Sequence, residues 1–105
     1  MLFYLFMKLY TYGGRYFGKK EGDKLWTHNG QHVGTFKGNE VYDRKGRYIG
    51  ELKNGKLLTK TSKKNNTTSE FSASMSRVGH VASVDQVGVV LPLGYEDFPG
   101  PDELS

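Results

Sequence analysis

The chain alternates short apolar and polar stretches, with glycine-containing dipeptides about every eight residues from Tyr10 to Gly55. In "HNGQHVGTFKGNEVYDRKGRYIG" the pair Gly30 and Gly34 is followed by Gly46 and Gly50, a spacing of sixteen. At that period the chain divides into "KLYTYGGRYFGKKEGD" (8–23), "KLWTHNGQHVGTFKGN" (24–39) and "EVYDRKGRYIGELKNG" (40–55), with "KLLT" (56–59) starting a fourth unit. Each unit reads as two strands of about four to six residues separated by glycine turns, because Asn-Gly and Gly-Asn take positive φ at little cost. Two-residue turns are predicted at 13–14, 29–30 and 45–46, and again at 22–23, 38–39 and 54–55. The pattern predicts an all-β fold of β-hairpin repeats.

Counting outward from those turns pairs Tyr10 with Phe17, Trp26 with Val33 and Tyr42 with Ile49 on one face, and Phe36 with Val41 and Leu52 with Leu57 on the other. Trp26, Val33, Tyr42 and Ile49 are therefore expected in the core. Gly18, Gly34 and Gly50 fall opposite Leu9, Leu25 and Val41. A glycine inside a strand marks a bend, bulge or close approach. One per unit implies hairpins that bend alike around a shared centre, and such units bury their faces only by packing together. With apolar residues on both faces, the hairpins need cover from residues 78–98 or from a homo-oligomer.

Outside 8–60 the pattern changes. Residues 1–7 are an apolar lead-in, too short to span a membrane and lacking a cleavage site, so no membrane partner is expected. Residues 61–77 are rich in Ser, Thr, Asn and Lys and read as a polar linker or mobile loop. In 78–98, valines at 78, 81, 84, 87 and 90 recur at a spacing of three, matching neither strand nor helix, and the segment is expected to be largely irregular. An acidic tail, 99–105, is expected to fray.

The repeat, together with "SRVGHVASVDQVG" and "GYEDFPGPDE", resembles the bacterial four-fold β-flower family. The resemblance implies four β-hairpin petals about a pseudo-four-fold axis. It carries over no catalytic residue. The fourth unit lacks its glycine pair, so its petal is either built by the C-terminal segment or incomplete.

Charge adds a preference in ligand. Through Lys60 there are twelve Lys and Arg against five Asp and Glu, and after it three against six. A basic body attracts anions, although such charges also serve simply as a solvated surface. The chain has no cysteine, which removes disulfides and thiolate metal sites and fits a reducing, cytoplasmic compartment. His28 and His32 stand i, i+4, but a turn falls between them and no supporting ligand is suitably spaced, so no metal is expected. "GGRYFG" lies in a hairpin rather than between strand and helix, which voids a nucleotide-loop reading. Asp43 and Glu51 offer an acid/base pair only in the sense that any two surface carboxylates do. No enzyme and no cofactor are expected.

Two functional classes remain. In the first, a non-catalytic binding module holds an anionic small molecule or nucleotide. Tyr16, His32 and Tyr48, each two residues before an in-strand glycine, would supply aromatic walls, and Arg15 and Arg47 charge at the rim. In the competing structural reading those three rings simply roof the glycines. The second class is an interaction domain that self-associates through its hairpins.

Overall fold

The computed structural model describes residues 6–76, 79 and 85–104. The predicted lead-in over 1–5 and the valines at 78, 81 and 84 lie outside the described residues. Among the described residues eight strands follow in chain order: β1 (Phe6–Thr11), β2 (Tyr16–Glu21), β3 (Lys24–Thr27), β4 (His32–Lys37), β5 (Glu40–Tyr42), β6 (Tyr48–Lys53), β7 (Lys56–Lys60) and β8 (Tyr95–Asp97). Neighbours from β1 to β7 pair antiparallel, and β1 then pairs parallel with β7 through Tyr10–Lys56 and Thr11–Leu57. The result is a closed seven-strand mixed barrel, with β8 as an extra strand on β7.

The turns at 22–23, 38–39 and 54–55 stand where the dipeptides place them. Gly22 and Gly38 take positive φ as the first turn residue, while Asn54 and Gly55 both do so at the third. These are the II′ and I′ geometries that follow the strand twist. The other set differs from expectation. Thr11 N–H donates to Arg15 O at 2.9 Å and Gly14 N–H to Thr11 O at 2.9 Å, and the same two bonds recur at Thr27/Gln31/Gly30 and Asp43/Arg47/Gly46. These are three-residue loops with a left-handed glycine last, at φ 91, 85 and 80°.

The added loop residue moves the register by one and corrects the predicted aromatic pairs. Tyr10 faces Tyr16, Trp26 faces His32 and Tyr42 faces Tyr48, whereas Leu9–Gly18, Leu25–Gly34 and Val41–Gly50 hold as predicted. Between the two registers Phe17, Val33 and Ile49 are the extra residues of β-bulges. A bulge turns two successive side chains inward. Tyr16 and Phe17, and likewise His32 and Val33, are therefore all buried. Phe36–Val41 and Leu52–Leu57 pair as counted.

The core follows the same period. Leu9, Leu25, Val41 and Leu57, sixteen apart, are all fully buried, and they cluster with Phe17, Val33, Phe36 and Phe98. Trp26 and Tyr42 are buried as expected, while Ile49 is half-buried against the cluster. A Cβ on Gly50 would collide with the Phe98 ring, and one on Gly18 with the Trp26 carbonyl. Glycine is required there by close approach.

The C-terminal third does not behave as linker and frayed tail. After a 3₁₀ turn at Thr61–Lys63, the chain passes along the barrel's three-residue loops. Thr68 N–H donates to Gly46 O (2.7 Å) and Phe71 N–H to Arg44 O (3.2 Å); Gln86 N–H then donates to Gly14 O (2.7 Å) and Val89 N–H to Tyr12 O (2.8 Å). At two of the bulges the outward strand amide donates to the passing chain: Tyr48 N–H to Asn66 O at 2.9 Å and Tyr16 N–H to the Asp85 carboxylate at 2.8 Å. Polar composition had suggested mobility, but polar groups are what outward-facing amides require. The tail closes with helix α1 (Pro101–Leu104), in which Pro101 is buried and Leu104 packs on the core.

Candidate functional site

Tyr16, His32 and Tyr48 begin three equivalent strands and are buried, at 3, 6 and 3% exposure. Each packs against its cross-strand aromatic, tilted in Tyr10–Tyr16 and Trp26–His32 with centroids at 5.3 Å and edge-on in Tyr42–Tyr48 at 6.0 Å. Pairs of this kind contribute about 0.5–1.5 kcal/mol beyond burial. The three rings are on separate hairpins, each under its own cover. The expected glycine floors are filled from inside the barrel, Gly34 by Val41 and Gly50 by Phe98.

Their polar atoms are engaged within the protein. Tyr48 donates its hydroxyl to Glu51 at 2.8 Å and accepts Lys60 N–H at 3.0 Å. Lys63 bridges Glu40 at 2.6 Å and Glu51 at 3.1 Å, and Tyr42 donates to Glu40 at 2.8 Å. Burial first, then the Glu51 contact, pushes the Tyr48 phenol well above its ordinary value. The Lys63 ammonium is held up chiefly by its hydrogen bonds to Glu40 and Glu51. At His32, Ser74 N–H donates to Nδ1 at 2.9 Å while Nε2 lies 2.9 Å from Gly34 O. An amide only donates and a carbonyl only accepts, so the ring is the neutral Nε2–H tautomer. Burial also holds its pKa below the ordinary value.

The predicted rim residues part company. Arg15 is exposed and stands 3.9 Å from Asp102. Arg47 donates through Nε to Asp43 at 2.9 Å and lines a cavity of about 570 Å³. Arg44 and Lys45 share its basic wall, Val33, Phe71 and Leu104 its apolar side, and Asp43 and Glu103 its acidic side. Among the described residues, no carboxylate comes within ion-pair distance of the Arg44 or Lys45 side chain. The loop that displays these cations is fixed from within, because Asp43 accepts the amides of Lys45 (3.0 Å) and Arg47 (2.9 Å).

The family decides between a chance hairpin array and a recurring architecture. Residues 7–94 match the family described as 4-fold beta flower protein. The chain belongs to that family. The β-flower match ends before β8, Phe98 and α1, so part of the core lies beyond the matched residues. No curated protein and no solved structure matches the chain.

Within this β-flower barrel, sequence reasoning singled out Arg47 but missed Phe71 and Leu104 as cavity walls. Phe71 had a readable signal, since it is the one aromatic residue in the polar stretch 61–77. Leu104 had none, because its place depends on Phe98 and α1 folding back. Among the described residues, no group of three or more His, Cys, Asp or Glu is placed to hold a metal ion, and no helix is long and apolar enough to cross a membrane.

Proposed function

We propose that the protein is a non-catalytic binding module that holds an anionic small molecule with a flat apolar part, such as a nucleotide, in the cavity beside the β5–β6 loop. The supporting observation is the pairing of Arg44, Lys45 and Arg47 with an apolar side made by Val33, Phe71 and Leu104. Convergent cations fix an anion, and an apolar wall takes a ring. Adenosine monophosphate and naphthalene-2-sulfonate are suitable probes. Each is expected to raise the melting temperature, less so as salt increases, and a double Arg44→Ser/Lys45→Ser variant is expected to lose at least tenfold in affinity. If neither probe shifts the melting curve, or the double variant binds as the wild type does, the reading is wrong.

We read β7, β8 and Phe98 as a fourth petal around a pseudo-four-fold axis. The support is register: Leu58 faces Asp97 as Tyr10 faces Tyr16, and Phe98 follows Asp97 as Phe17 follows Tyr16.

A second reading, self-association, draws support from Val87, Val90 and Leu93, exposed at 92, 93 and 102% along one stretch. Exposed apolar runs of this kind mark interaction surfaces. Sedimentation of the full chain across a concentration series would detect it, and a monomer at every concentration would remove it.

A further inference from the structure

We infer that protonation of His32 detaches the strap of residues 71–75 from the barrel and dismantles one wall of the cavity, so that the site holds an anion at neutral pH and releases it in acid. This regulation rests on the binding reading of that cavity.

The strap meets β4 through one ring. His32 is sandwiched between Trp26, at 5.3 Å, and Phe71 of the strap, at 4.9 Å, and its Nδ1 accepts the Ser74 amide. Phe71, Ser72 and Ala73, the residues between those two contacts, are cavity wall. A proton on Nδ1 would turn acceptor into donor and set two N–H groups against each other at 2.9 Å. Nε2 gives no relief, because it already donates to Gly34 O.

The charges around the ring also disfavour the imidazolium. Lys24 on β3 and Arg44 in the β5–β6 loop repel it, Asp23 in the β2–β3 turn attracts it, and the strap brings only the Phe71 ring and the Ser74 amide. Desolvation adds to the repulsion. The proton is therefore taken up more readily once the strap has moved and water reaches Nδ1. By linkage, a group whose folded pKa is depressed contributes stability that is present above its unfolded value, about 6.5, and lost as pH falls below it. The part with the least to lose is the strap, whose hold depends on that acceptor. Among the described residues its backbone bond to the barrel, Phe71 N–H to Arg44 O, is long at 3.2 Å.

The experiment follows the full-length chain by nitrogen NMR from pH 8 to pH 5 while titrating naphthalene-2-sulfonate, whose charge is constant over that range. The expected result is a single transition shared by the His32 ring nitrogens and the Ser74 amide, with β1 and β7 amides unmoved. Affinity for the probe should fall about tenfold across it, within the usual span of coupling between sites. A His32→Gln chain should show neither change, and the wild-type titration stands without it should that variant not fold. The inference is overturned if His32 stays neutral to pH 5, or if it takes a proton while the Ser74 amide or the affinity stays constant. A strap transition in a protein that never binds the probe supports the detachment and removes the binding reading instead.

Discussion

Single residues matter most here where the sixteen-residue period is broken and something else fills the position. Phe98 follows β8 outside the three repeats, and its ring meets Phe17 edge-on at 5.3 Å and lies against Gly50. Phe98→Ala should cost about 3–5 kcal/mol as a large-to-small core change, and a melting temperature equal to wild type would show that the C-terminus does not complete the core. The in-strand glycines were legible as close approaches. Their closest neighbours were not, since Trp26 O reaches Gly18 across the β2–β3 pair and Phe98 reaches Gly50 only once the C-terminus folds back.

At the scale of elements, the sequence named the strands and the second set of turns but misjudged the first set by one residue. The dipeptides Gly13-Gly14, Asn29-Gly30 and Lys45-Gly46 suit a two-residue turn and the last two positions of a three-residue loop equally well. What decides is the bulge after each loop, which no local propensity announces. The 3₁₀ turn gives the element-level prediction. Lys63 and then the Tyr42 hydroxyl hold the Glu40 carboxyl below its usual range. That contribution is present above the unfolded carboxyl value, about 4.3, and is lost as pH falls through the lower folded value. Glu40→Gln should therefore flatten the stability profile below about pH 5 while leaving the His32 transition at higher pH in place. Urea titrations at a series of pH values would show this, and an acid limb as steep as wild type would mean that the Lys63 bridge adds nothing.

For the whole molecule, the closed barrel leaves one matter to the C-terminal third. The bulged ends of the hairpins carry rings that the barrel alone cannot cover, and residues 66–76 and 85–98 lie along the three-residue loops and add β8. The sequence left cover by residues 78–98 and cover by a homo-oligomer as alternatives, since both bury the same faces. Among the described residues Asp85 of that segment is bonded at the strand bearing Tyr16, but Asn66 and Ser74, bonded at the strands bearing Tyr48 and His32, belong to the stretch expected to be a linker. Two truncations separate the layers of this arrangement. A chain ending at Gly94 keeps the cover on Tyr16, His32 and Tyr48 but loses β8 and Phe98, so it should remain β-rich with a lowered melting temperature. A chain ending at Lys60 keeps all seven barrel strands yet exposes the three rings and the outward amides of Tyr16 and Tyr48. Uncovered aromatic surface at that density drives association or unfolding, so it should aggregate or lose its β signal. Circular dichroism and sedimentation would report both, and a Lys60-terminated chain that stays monomeric and melts like wild type would show that the barrel is self-sufficient and the segment only decorates it.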